Sequence, residues 1–183
     1  MKKILVVIIS IVLIFAFAGC GGDTPTEDEM INNNDVSEEA TEDATGDVFF
    51  KDNVLQLEEY KIEITDYNVV EKGKGGNQYG DSPVIVFDYK ITNISDSSLE
   101  AYSAWIYSFT AIQDNDPNTL NELDTSIMYD FGNKSSSKHD KIKIGGVVES
   151  SIAYELSDEE TPVTLIASKL FGGEIGSQEF SLK

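Results

Sequence analysis

VIVFDYKITN, residues 84–93, decides the fold class. Ile85, Phe87, Tyr89 and Ile91 fall on one side of an extended chain, and Asp88, Lys90 and Thr92 fall mostly on the other. A period of two is the mark of a strand with one buried face. The same alternation recurs outward in both directions. YKIEITDYNVVE sets Tyr60, Ile62 and Ile64 against Lys61, Glu63 and Thr65. VVESSIAYEL turns Val148, Ile152, Tyr154 and Leu156 inward and Glu149, Ser151 and Glu155 outward. AYSAWIYSFTAI, residues 101–112, is β-branched and aromatic throughout, which predicts a more central strand. PVTLIASKL and EIGSQEFSL supply the last two runs, and VFF with VLQLE before Tyr60 add a short edge strand.

GKGGNQYGDSP, NISDSS, IGG and LSDEETP lie between these runs and carry the Gly, Pro, Asn, Asp and Ser that turns require. Six or seven short strands without a long helical period predict an all-β, antiparallel, two-sheet sandwich. The stretch Asp114–His139 departs from the pattern, being mostly polar apart from TLNEL and SIMYDF. A loop of that length in a compact domain is usually functional or carries short structure of its own. A helical turn near Leu120 and a second short element near Met128 are expected.

The N-terminal text is of another kind. Lys2 and Lys3 precede an apolar run, Ile4–Ala18, broken only by Ser10. Positive residues, an apolar stretch and the small pair Ala18 and Gly19 have the layout of a secretory signal. As a helix the run reaches roughly 22 Å, short of the ~30 Å hydrocarbon core, so a permanent span is disfavoured. The next residue is Cys20, the single cysteine. Phe17, Ala18, Gly19 and Cys20 resemble the lipobox of bacterial lipoproteins, with Phe17 where leucine is usual. That resemblance implies cleavage before Cys20 and attachment of diacylglycerol (palmitate-type acyl chains) to its thiol. A plain secreted chain with a chance cysteine near the cut is the competing reading. An exported chain with one cysteine has no disulfide framework, and lipidation accounts for the odd thiol.

Residues 21–47 hold ten acids, no lysine and almost no large apolar side chain. Low hydropathy with like charge predicts a disordered, self-repelling tether. The whole chain has 13 basic residues, all lysine, against 33 acidic ones, a net charge of −20. Residues 48–183 account for 11 of the lysines and 23 of the acids, or −12. Such a chain is repelled by nucleic acid and by bare anionic headgroups, so only a covalent anchor would hold it on a membrane. The expected organisation is a signal peptide over 1–19, lipidated Cys20 with its tether to 47, and one folded domain over 48–183.

DYKITNIS, AIQDNDPNTLNEL, IKIGGVVESSIAYEL and TPVTLIA resemble a family of uncharacterised extracellular lipoproteins of Gram-positive bacteria. These carry a domain of unknown function with an immunoglobulin-like sandwich, similar in turn to secreted Ig-like domains that include a mycobacterial immunoprotective antigen. The resemblance covers most of 49–183 and implies an Ig-like antiparallel β-sandwich. It implies no catalytic or binding residue, and a fold alone does not supply one.

Few constellations point to chemistry. Asp114, Asp116 and Asn118 match the first three ligand positions of an EF-hand loop, but Thr119 and Thr125 occupy the positions that need Gly and Glu. A non-EF Ca²⁺ site built from Asp114, Asp116 and Glu122 is the alternative to a polar loop with an Asx-type turn before Pro117. SSSK at Ser135–Lys138 has the serine-to-lysine spacing of penicillin-recognising enzymes without their accompanying SDN or KTG elements. The single histidine, His139, lies in the same loop, and no further Cys or His offers a metal centre or a nucleophile with its base. Gly73, Gly75 and Gly76 precede a strand, which suits a hairpin loop better than a dinucleotide fingerprint. Tyr102, Trp105, Tyr107 and Phe109 would line a groove if exposed. Alternation places Trp105, Tyr107 and Phe109 on one face, and Trp105 is expected to anchor the core.

These features predict a non-enzymatic lipoprotein on the extracellular face of the cytoplasmic membrane, held in its outer leaflet by the lipid. It would display a binding domain for a cell-surface protein or glycan, without nucleic acid and without a cofactor. The loops Asp114–His139 and Gly73–Asp81 are the expected surfaces. An accessory solute-binding or Ca²⁺-binding lipoprotein using the 114–122 loop is the alternative.

Overall fold

A computed structural model describes residues 47–132, 139–170 and 172–182. The signal sequence, Cys20, the tether up to residue 46 and SSSK at 135–138 lie outside them. Eleven elements follow in order. They are β1 (Phe49–Lys51), β2 (Val54–Gln56), β3 (Tyr60–Val70), β4 (Val84–Asn93), β5 (Leu99–Glu100), α1 (Ala101–Ser108), β6 (Phe109–Ile112), β7 (Lys141–Ile142), β8 (Val147–Glu155), β9 (Val163–Ser168) and β10 (Glu174–Phe180). One sheet has the order β1-β2-β3-β4-β8 and the second β10-β9-β6, while β5 and β7 pair separately. Every pairing is antiparallel. The fold is therefore the all-β, sandwich-like arrangement that the alternation predicts.

β4 lies between β3 and the edge strand β8 in the larger sheet. Its Ile85, Phe87, Tyr89 and Ile91 are the inward set and are at most 1% exposed. Phe87 meets the rings of Tyr67, Trp105, Tyr154 and Phe180 at centroid separations of 5.0–6.3 Å. In β3 the inward period breaks once, from Ile62 and Ile64 to Tyr67 and Val69. The register with β4 shifts between Ile64 and Asp66, a bulge that keeps both halves of a long strand facing the core. The expected edge strand is a tight hairpin, β1 with β2. Asp52 and Asn53 at its tip adopt φ of 52° and 65°, the left-handed pair that a two-residue turn requires. Gly176 of β10 lies where a Cβ would come within 2.9 Å of the Phe50 carbonyl oxygen, so a side chain there would push the two sheets apart at this edge.

The structure corrects the sequence reading of residues 101–112. They do not form one central strand. Ala101–Ser108 is an α-helix, and only Phe109–Ile112 continues as strand β6. The helix buries Ala101, Ala104, Trp105 and Ser108, one face at helical spacing. Trp105 is fully buried, as expected, and its indole N–H donates to the Tyr154 hydroxyl at 2.9 Å. Its ring lies 4.5 Å from that of Tyr89 and 4.6 Å from that of Phe109. Tyr107, expected beside Trp105, points away from the core and is 59% exposed.

The long loop is also corrected. Neither a helical turn at Leu120 nor a regular element at Met128 forms. Instead Glu122 bridges to Ile112 and Thr125 to Tyr154, extending the edges of both sheets by single pairings. The chain then crosses the outer face of the larger sheet. There Tyr129 and Phe131 cover Val84, Val86 and Ala153 in a second, smaller core. Asp130 donates its N–H to the Gly76 carbonyl at 2.8 Å. A Cβ at Gly76 would lie 2.4 Å from the Asp130 oxygen, so this crossing depends on glycine.

Candidate functional site

The sandwich has two ends. At one end lie the β3–β4 loop, the loop after β6 and the turn after β8, which include the acidic residues singled out from sequence. At the other end lie the β2–β3 turn, β5 with the start of α1, and the chain leaving β9.

The acidic end is hydrogen-bonded to itself. Gln113 is fully buried at its base. Its amide donates to the carbonyls of Thr161 (2.7 Å) and Asp158 (3.1 Å), and its oxygen accepts from the Ser157 N–H and hydroxyl, both at 2.8 Å. Asn115 and Asn121 both donate to the Ser157 hydroxyl at 2.8 Å. The Asp158 carboxylate accepts from the N–H groups of Thr161 and Glu160 and from the Asn115 amide. These bonds, that of Thr161 foremost, hold its pKa well below the ordinary carboxylate value. Asp116 accepts from the N–H of Asn118 (2.8 Å) and of Thr119 (2.9 Å), which is the expected Asx-type turn around Pro117. These bonds lower its pKa too.

Asp114, Asp116 and Glu122 are not gathered into a cation cage. Among the described residues, no group of three or more His, Cys, Asp or Glu side chains is placed to hold a metal ion. The Gly73–Asp81 loop packs around its own Asn77. This side chain is fully buried and donates to the carbonyls of Ser82 (2.8 Å) and Val70 (3.3 Å).

The opposite end holds an open cleft of about 600 Å³. Helix α1 forms one wall, with Tyr107 at its lip and Ala104 deeper. Leu57, Tyr60 and Leu99 are its more buried lining, and Leu170, 58% exposed, lines it as well. The helix is fixed here because Tyr60 shares a 2.8 Å hydrogen bond with the Ser108 hydroxyl and reaches the Ala104 carbonyl at 3.4 Å. From the core side, the Tyr89 hydroxyl donates to the Ala101 carbonyl at 3.2 Å. Burial drives the Tyr89 pKa up to about 12, and burial with the nearby Glu59 charge raises that of Tyr60. Both phenols are therefore neutral hydrogen-bonding posts at ordinary pH.

Four charged residues ring the mouth. Lys169 pairs with Glu58 at 3.0 Å, and both are largely exposed. Glu100 meets Nδ1 of His139 at 2.7 Å, and the histidine itself lines a separate, smaller pocket beside Tyr102. Glu59 makes no ion pair among the described residues. Such a site, apolar within and polar at the edge, has the size and lining of a ligand cleft. Sequence reasoning missed it because it assumed Tyr107 to be a core residue of a strand. The available signal was the spacing of Ala101, Ala104, Trp105 and Ser108.

Two solved structures share the fold. A candidate lipoprotein of Staphylococcus aureus subsp. aureus NCTC 8325 superposes with a TM-score of 0.62 at 20% identity, over 74% of this chain and 92% of that one. A protein of Enterococcus faecalis solved by NMR superposes with a TM-score of 0.57 at 17% identity, over 74% and 93%. No curated protein matches the sequence. Residues 35–169 match the model of a family described as Domain of unknown function (DUF5067), and the chain belongs to that family.

Proposed function

We propose that this protein is a lipid-anchored lipoprotein on the extracellular face of the membrane, that its β-sandwich is an interaction module, and that the cleft beside α1 is its binding surface. The observation that carries the reading is the contrast in how side chains are used. Tyr107 and Leu170 leave more than half their surface open at a cleft of about 600 Å³, whereas Gln113, Asn115, Asn121, Ser157 and Asp158 at the loop end are bonded to one another. Large apolar side chains left uncovered around a concavity mark a binding site more often than a polar loop whose groups are internally bonded. The Cys20 context, the acidic segment after it and the fold shared with a candidate lipoprotein support the anchored placement.

Strand β1 begins at the cleft end, where Phe49 pairs with Gln56, the residue before Leu57 of the cleft lining. The first described strand thus starts beside the cleft. The Ca²⁺ reading draws no comparable support, because among the described residues no three His, Cys, Asp or Glu side chains are placed to hold a metal ion.

The test is site-specific photo-crosslinking on intact cells, with the photoreactive residue placed at 107 or, as the comparison, at 159. Adducts from 107 that are absent from 159 support the reading; adducts confined to 159 overturn it. Cys20→Ser should release the protein from membranes or leave it unprocessed, and unchanged palmitate labelling would contradict the anchor.

A further inference from the structure

We infer that the cleft takes a peptide segment of a partner protein in which apolar side chains alternate with lysine or arginine. This rests on the cleft being the binding surface and adds the chemistry of what fills it. Leu57, Tyr60 and Leu99 give the cleft an apolar lining, and the exposed Tyr107 and Leu170 add to it. The rim is not neutral, with three carboxylates (Glu58, Glu59 and Glu100) facing a single ammonium, that of Lys169. Lys169 and Glu58 neutralise one another at 3.0 Å, which leaves Glu59 and the Glu100–His139 pair to set the sign of the mouth.

Charge also bears on the alternatives. The acidic segment at 21–47 and a second copy of the domain, itself at −12, both bring the same sign to this rim. A cationic partner is drawn to it. A lysine or arginine side chain suits the cleft doubly, because its aliphatic stem packs on apolar surface while its charged head stays at the wet rim. The cleft is open to solvent, so a lipid tail laid in it would remain partly in water and leave the carboxylates unused.

The probe is a dye-labelled octapeptide of alternating lysine and leucine, titrated by fluorescence anisotropy against the full chain in phosphocholine nanodiscs, with empty nanodiscs as blank. Glu58→Gln/Glu59→Gln removes two rim charges from an exposed turn. Glu159→Gln/Glu160→Gln removes the same charge at the opposite end.

The expected result is about tenfold weaker binding for the rim variant and under about twofold for the distal one, with the difference fading at high salt. Equal weakening by both variants would reduce the effect to net charge and overturn the inference. An alternating glutamate–leucine peptide that binds as well as the lysine peptide, and is lost on Tyr107→Ser, would overturn the cationic preference while leaving the cleft as the binding surface. Binding of amine-headed lipid vesicles without binding of the peptide would assign the cleft to a lipid. A lysine peptide whose binding is unchanged by Tyr107→Ser and by the rim variant would overturn both the inference and the reading beneath it.

Discussion

The loop end and the cleft end of the sandwich use similar residues in opposite ways. Both carry acids, both are built from connections, and both rest on one buried anchor, Gln113 at the loop end and Trp105 under the cleft. At the loop end the anchor is polar, and its neighbours Asn115, Asn121, Ser157 and Asp158 bond back to one another. At the cleft end the anchor is aromatic, and it holds a helix whose outer face is left uncovered. A loop rich in carboxylates is thus no more available than the number of its oxygens without a protein donor. The acids at 114–122 draw attention in the sequence, yet Asp116 at their centre accepts backbone donors within its own turn.

The comparison can be broken first at its anchors. Trp105→Ala removes a fully buried indole and should cost about 3–5 kcal/mol in denaturant unfolding. The fraction still folded should lose peptide binding with the displaced helix. A cost below about 1 kcal/mol would mean that α1 does not depend on the core beneath it. Gln113→Ala should cost about 2–3 kcal/mol, because Ser157 and the carbonyls of Asp158 and Thr161 lose buried partners. The two ends differ in the second readout, since Gln113→Ala should leave peptide affinity within about twofold.

Acid sharpens the contrast further. The folded-state pKa of Asp158 is depressed by the Thr161 N–H, the Asn115 amide and the Glu160 N–H. Its stabilisation is therefore complete above the unfolded value near pH ~4 and is lost as pH falls below that toward the folded value. Asp158→Asn should flatten the acid limb of a stability profile. An unchanged limb would mean that these bonds do not distinguish the folded from the unfolded state.

The smallest effects belong to the cleft and to the cation test. Tyr107→Ser should change stability by no more than about 0.5 kcal/mol while abolishing binding. Millimolar Ca²⁺ should shift the melting temperature by less than about 1 °C, since a ligand stabilises only in proportion to its binding.

Much of the sandwich was legible because its strands have one buried face. Ile85, Phe87, Tyr89 and Ile91 announce the inward face of β4, and VFF with VLQLE gave the edge of the larger sheet. Helix α1 was hidden for a physical reason. Half of AYSAWIYS, namely Tyr102, Trp105, Ile106 and Tyr107, is aromatic or β-branched and favours strands, no glycine or proline ends it, and Glu100 at its start makes no side-chain cap. Tertiary burial of Trp105 outweighs those local preferences. The crossing of Tyr129 and Phe131 over Val84, Val86 and Ala153 was equally hidden, because a pattern read within one strand does not say what covers its other face. The cleft depends on the helix, so missing α1 meant missing Tyr107 and the rim. Cys20 remains an inference from sequence, as it lies outside the described residues.

The central claim is that partners meet the α1 cleft and not the acidic loops. Hydrogen exchange of the full chain in nanodiscs, with and without the lysine–leucine peptide, tests it most directly. The account predicts slowed exchange in 57–60, 101–108 and 168–170, with 114–122 and 157–161 unchanged. Protection confined to 114–122 and 157–161 would contradict it.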